Sequence, residues 1–206
     1  MNTLKNANER NVLVAVDIQN DFISGSLAID GGEEVVSPTN QLAKAVRQNM
    51  GRVAFTRDWH PETTPHFDTW PVHCVAGTDG ADFHHDIEFK ASDVILSKGM
   101  EQTDGYSGYE GVSIDGRTLE SMITPQHREK VVVYLTGLAI DYCVKATGID
   151  IATEFKDNEN VTVYAVREAM RAVNLQPGDE QQALVDMQAA GVKIIGLNEA
   201  LAMVEA

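Results

Sequence analysis

The chain has 206 residues and carries 16 Lys+Arg against 31 Asp+Glu, a formal charge of −15, with a hydrophobic fraction of 43% and a charged fraction of 23%. An acidic chain with no basic run cannot displace counterions from a phosphate backbone or hold an anionic membrane surface, which excludes nucleic-acid and membrane partners. The length suits one domain, 1–206, over two very small ones, and no stretch approaches the roughly 18 apolar residues of a membrane span.

Six short apolar runs punctuate the sequence, at 11–17 (NVLVAVD), 51–58, 93–99 (DVILSKG), 131–137 (VVVYLTG), 161–166 (VTVYAV) and 192–197 (VKIIGL). Runs rich in β-branched residues and apolar on both faces predict strands of a buried parallel sheet. Helical patterns lie between them at 33–49, 117–123, 141–156 and 178–190, with a short one at 198–205, and Pro177-Gly178-Asp179 supplies a start signal for the fourth. The alternation predicts an α/β fold, an open and mostly parallel sheet with helices on both faces. Residues 58–92 break it, having no period while holding five of the six histidines. A segment that long without regular structure is usually functional, and in open α/β sheets ligands collect beyond the carboxyl ends of the strands.

The first ten residues, MNTLKNANER, are polar and lack an apolar signal core, so the expected compartment is the cytoplasm. Two cysteines, Cys74 and Cys143, are too few for a disulfide framework and fit a reducing environment.

Three strand ends carry ionisable or nucleophilic side chains. Asp17 closes the first run, Lys98 the third, and Cys143 follows the fourth in the first turn of a predicted helix. Alone, such a cysteine is usually a small buried hydrophobe, and such a carboxylate or lysine a structural ion pair. Together they suit amide hydrolysis through a thioester. Asp17 is the proton carrier, Lys98 the cation that steadies thiolate and carboxylate, and Cys143 the nucleophile, with amides of the 139–143 turn left to hold an oxyanion. The helix start is expected to favour the Cys143 thiolate.

A second constellation, Asp58, His60, His66 and His73, follows the pattern D-x-H-x5-H-x6-H. One carboxylate with two or three imidazoles suits Zn, Fe(II) or Mn with coordination positions left open, although loop histidines are as often merely solvated. His84, His85 and His127 lie outside this spacing and are read as surface residues.

The blocks VDIQNDF (16–22), TRDWHP (56–61), WPVHCV (70–75) followed by Gly77-Thr78 and Gly80-Ala81, Ser97-Lys98-Gly99, Tyr106-Ser107-Gly108-Tyr109 and GLAIDYCV (137–144) resemble the nicotinamidase/pyrazinamidase branch of the isochorismatase-like hydrolases, in order over residues 11–170. The resemblance implies a catalytic triad of Asp17, Lys98 and Cys143, and metal ligands Asp58, His60 and His73, with His66 a ligand in some members. It implies substrate walls at Phe22, Trp70 and Tyr106, a cis peptide before Ala139, an oxyanion hole at Ala139 and Cys143, and a structural Cys74. The implied cofactor is one divalent transition metal ion, Zn ahead of Fe or Mn. The implied partner is the small molecule nicotinamide, with pyrazinamide beside it; a homo-oligomer is left open, since no surface stripe specifies one. Two departures bear on the pocket: the 23–27 loop is shorter than the usual glycine-rich form, and Tyr142 stands where His is common. The alternatives are a carbamoyl or ureido amidohydrolase with the triad but no metal set, an isochorismatase, whose vinyl-ether substrate needs no Asp58/His60/His73 group, and a silent binding protein on this fold.

Overall fold

The computed structural model describes residues 8–206. Six strands, β1 (Glu9–Val16), β2 (Arg52–Asp58), β3 (Val94–Lys98), β4 (Lys130–Leu138), β5 (Val161–Arg171) and β6 (Lys193–Ile195), form one sheet in the order β3-β2-β1-β4-β5-β6, every pair parallel. The helices are α1 (Asn20–Ile23), α2 (Val36–Gln48), α3 (Leu119–Ile123), α4 (Lys145–Glu154), α5 (Asp179–Ala189) and α6 (Leu197–Glu205). The predicted runs and helical patterns all become elements, with ends shifted by a few residues.

The continuous apolar runs follow from a sheet covered on both sides. Val12, Val14 and Val16 of β1 face one core, shared with Leu119 and Met122 of α3, Ile151 of α4, and Ala183 and Met187 of α5. Leu13 and Ala15 face the other, filled by Leu42 and Val46 of α2 and by Ala200 and Val204 of α6. Local chemistry sets the helix ends. Thr118 and Ser121 form a reciprocal capping box at α3, and Asp179 and Glu180 place negative charge in the first turn of α5.

Residues 58–92 are ordered without a period because they are built from short 3-10 turns, Pro65–Asp68 and Asp79–Ala81, and from isolated bridges pairing His60 with Val75 and Gln19 with Phe83. Such turns repeat no side-chain pattern long enough to read. The helix predicted from 141 opens instead with one wide π turn, Ile140–Val144, before α4 begins. His84 departs from the surface reading. It is buried, its amide donating to Ile18 O at 2.9 Å, whereas His85 and His127 are exposed. Among the described residues no helix is long and apolar enough to cross a membrane.

Strand order reverses between β1 and β4, so the crevice for a ligand opens there, at the carboxyl ends. Gly137 makes the close pairing possible. It lies opposite Val16 with φ of 104°, and a Cβ on it would lie 1.9 Å from Val16 O. We predict that Gly137→Ala lowers Tm by about 6–12 °C, since left-handed strain and overpacking together cost about 3 kcal/mol at ~2–4 °C each. Gly116→Ala, with φ of 81° but open space around the site, isolates the backbone term and should lose only about a third as much in thermal unfolding followed by circular dichroism.

Candidate active site

Parallel register brings the strand ends level. Asp58 pairs with Lys98 across β2 and β3, and Val16, just before Asp17, pairs with Thr56 on one side and Gly137 on the other. The chain turns left-handed at Asp17, with φ of 48°. Lys98 Nζ, fully buried, lies 2.8 Å from Asp17 Oδ2, 2.5 Å from Asp58 Oδ1 and 3.4 Å from Cys143 Sγ. The ammonium donates to Asp58 Oδ1 and Cys143 Sγ and forms an ion pair with Asp17 Oδ2.

The carboxylates are held from behind. Thr56 Oγ1 donates to Asp17 Oδ1 at 2.6 Å. Gln19 accepts from the Asp58 amide through Oε1 at 2.8 Å and donates through Nε2 to the carbonyls of Asp58 and Ala81, both at 2.8 Å. Gln19 lies within the VDIQNDF block, yet nothing in the spacing marks it as the clamp on Asp58.

Burial and charge divide the two acids. Burial raises the pKa of both carboxyls, but at Asp58 the ammonium of Lys98 and the ring of His60 outweigh it and hold the group well below the usual range. At Asp17 burial and the neighbouring Asp58 charge prevail over Lys98, so its pKa is raised. Lys98 is held above its ordinary value, since the two carboxylates overcome its desolvation. At Cys143 burial, with the charges of Asp17 and Asp58, raises the thiol pKa despite Lys98, against the lowering expected of a helix start. The carboxyls of Asp17 and Asp58 and Cys143 Sγ lie within 4.8 Å of one another.

The bond from Leu138 to Ala139 is cis, as the resemblance implied. Among the described residues the Ala139 amide meets no acceptor, while the Ala139 carbonyl accepts from the amides of Tyr142 and Val144.

His60, His66 and His73 are all buried, and one ring nitrogen from each lies within 4.8 Å of the others. Their opposite nitrogens are anchored: His60 Nδ1 at 3.0 Å from Gly99 O, His73 Nδ1 at 2.7 Å from Pro71 O, and His66 Nδ1 at 2.8 Å from Asp104 Oδ1. These acceptors place the proton on Nδ1 and leave Nε2 as a lone pair. Asp58 Oδ2 faces His60 Nε2 at 3.8 Å and His73 Nε2 at 4.0 Å. His60 Nε2 is fully buried with no hydrogen-bond partner, an arrangement a bound cation would satisfy. The donor set fits a divalent metal ion.

Between imidazoles and thiol lies a pocket lined by Phe22, Trp70 and Tyr106, with Ala139 and Cys143 on its floor. Trp70 Nε1 donates to Tyr106 Oη at 2.9 Å, and Trp70 meets Tyr142 edge-on at 4.9 Å. The resemblance pointed to Phe22, Trp70 and Tyr106, all of which line this pocket, but not to Leu27, Ile29 and Val173, which line it from loops with no motif. Cys74 is buried and free, with its thiol pKa driven far up by burial, and so behaves structurally.

The isochorismatase domain family model matches residues 11–199. The chain belongs to the isochorismatase family. Its curated relatives include the nicotinamidase/pyrazinamidase of Mycobacterium tuberculosis, 37% identical over 147 residues that cover 67% of this chain and 76% of that protein. The Escherichia coli nicotinamidase is 30% identical over 208 residues, covering 90% and 94%. Among solved structures, the pyrazinamidase of Pyrococcus horikoshii in complex with zinc superposes with a TM-score of 0.75 at 32% identity, covering 91% of this chain and 99% of that one.

Elemental analysis of family-member protein purified without chelator should find about one transition metal ion per chain, and His60→Ala combined with His73→Ala should abolish it. Stoichiometric metal in the double variant would place the ion elsewhere.

Proposed function

We propose that this chain is a metal-dependent cysteine amidohydrolase that converts nicotinamide and water to nicotinate and ammonia, and that it also accepts pyrazinamide. One observation carries the reading: a buried lysine joins Asp17, Asp58 and Cys143 beside three inward-facing imidazoles, in one aromatic-walled pocket. The nicotinamidase and pyrazinamidase relatives support the substrate class.

Each residue's part follows from its position. Cys143 Sγ attacks the carboxamide carbon as its proton passes to Asp17, and the new C–S bond pushes charge onto the carbonyl oxygen. The amides of Ala139 and Cys143 receive that oxyanion, and the Lys98 ammonium offsets the charge that moves among Sγ, Asp17 and Asp58. Asp17 then returns the proton to the amide nitrogen. The C–N bond breaks, ammonia leaves, and a thioester remains. Water attacks the thioester carbon while Asp17 takes its proton, the C–S bond breaks, and Asp17 reprotonates Cys143 as nicotinate departs. The raised pKa of Asp17 suits a group that must accept and give a proton within one cycle.

Asp58, His60, His66 and His73 would hold the metal ion, zinc by ligand type, which when bound supplies an open coordination position suited to a pyridine nitrogen. Phe22, Trp70 and Tyr106 stack and enclose the ring so that its carboxamide meets Cys143. A carbamoyl hydrolase without metal would leave three buried imidazoles facing one another for no purpose.

Ammonia release from nicotinamide by purified protein is the direct test. Cys143→Ala should lower kcat by at least ~1,000-fold while folding and metal content persist, and a variant keeping a tenth of the rate would contradict the thioester route. Benzamide has the shape and the reacting amide but no ring nitrogen. Its kcat/KM should fall at least ~100-fold, or about 3 kcal/mol, and a drop of only a few-fold would favour the carbamoyl alternative.

A further inference from the structure

The three inward imidazoles are anchored by groups of different kinds. His60 and His73 rest on backbone carbonyls, Gly99 O and Pro71 O, whereas His66 rests on the carboxylate of Asp104, whose side chain is 58% exposed. His66 sits on the 3-10 turn Pro65–Asp68, and its ring stacks on His60 at 4.6 Å and 22°. Stacking fixes the plane of a ring but not which nitrogen carries the proton. A carboxylate can only accept, so it selects the Nδ1–H tautomer, and the charge-assisted bond makes the opposite nitrogen a stronger donor.

The loop that carries Asp104 is built for the task. It leaves the sheet directly after Lys98 and ends before Tyr106, and a Cβ on Gly105 would lie 2.5 Å from Gly99 Cα, so the two glycines close its neck backbone to backbone. One end of the loop supplies the Gly99 carbonyl to His60 and the other supplies Asp104 to His66. The same short segment thus anchors two of the three rings.

We propose that Asp104 is a positioning residue, whose carboxylate fixes the His66 ring with Nε2 turned toward His60 and His73 and so makes His66 a ligand of the metal. This rests on the metal-dependent reading above. Zinc affinity, measured by chelator competition on purified protein, tests it apart from turnover. Asp104→Ala should weaken zinc binding by about 10–100-fold, and Asp104→Asn, which retains an oxygen acceptor, should recover part of that loss. Gln102→Ala removes a contact of the same loop, Nε2 donating to Thr63 O at 3.2 Å, without touching an imidazole, and should leave the affinity within about two-fold. In a His66→Ala background, Asp104→Ala should add no further loss. Unchanged affinity in Asp104→Ala, an equal loss in Gln102→Ala, or additive losses in the His66→Ala background would each overturn the proposal. A wild-type protein that hydrolyses nicotinamide but binds no zinc would overturn it together with the metal reading, whereas tight zinc binding unaffected by Asp104→Ala would overturn it alone.

Discussion

The ammonium of Lys98 is the group on which the rest of the site depends. Taking one cation and two carboxylates out of water costs several kcal/mol per ion, and only close mutual pairing returns it. Lys98 achieves this with Asp17 at 2.8 Å, Asp58 at 2.5 Å and Cys143 at 3.4 Å. Such distances demand that three strand ends lie level, which parallel register provides by pairing Asp58 with Lys98 and Val16 with Thr56. Gly137 admits β4 close enough to bring Cys143 to the same point. The sheet is therefore the ruler for the chemistry.

Asp58 links the two halves of the site. One of its oxygens meets Lys98 and the other faces His60 and His73, so one carboxylate serves both the cluster around Cys143 and the cluster that fits a metal. The Gln19 side chain fixes its backbone on both the N–H and the C=O. The environment separates two carboxylates of the same type, lowering the pKa of Asp58 and raising that of Asp17, the difference that the proposed roles of anchor and proton carrier require. Burial and the two acids raise the Cys143 thiol pKa, which disfavours a third negative charge in the buried cluster.

The strands were legible because a sheet covered on both faces demands apolar residues at consecutive positions, and Asp17, Asp58 and Lys98 stood out because each closes such a run. The clustering of the histidines was legible for the same kind of reason, being dense in a segment with no other pattern. What escaped was tertiary. The Gln19 clamp and the Asp104 anchor act on residues 38 or more positions away, and no local period records such a pairing. His84 resembled a loop histidine until the structure tied its amide to Ile18 and buried it. The thiolate expectation for Cys143 rested on a helix start, a local feature, whereas the desolvation and two neighbouring acids that raise its pKa are set by the assembled fold.

The claim that Lys98 holds buried charge in place is tested most directly by a double-mutant cycle on urea unfolding, using Lys98→Met, Asp17→Asn and the pair. Removing the cation alone leaves two buried carboxylates unpaired, and Lys98→Met should cost about 3–5 kcal/mol. Removing Asp17 as well relieves part of that burden, so the two losses should fall short of additivity by about 2 kcal/mol or more. Losses that add to within about 0.5 kcal/mol would mean that the two groups are energetically independent, and would contradict the central role given to Lys98.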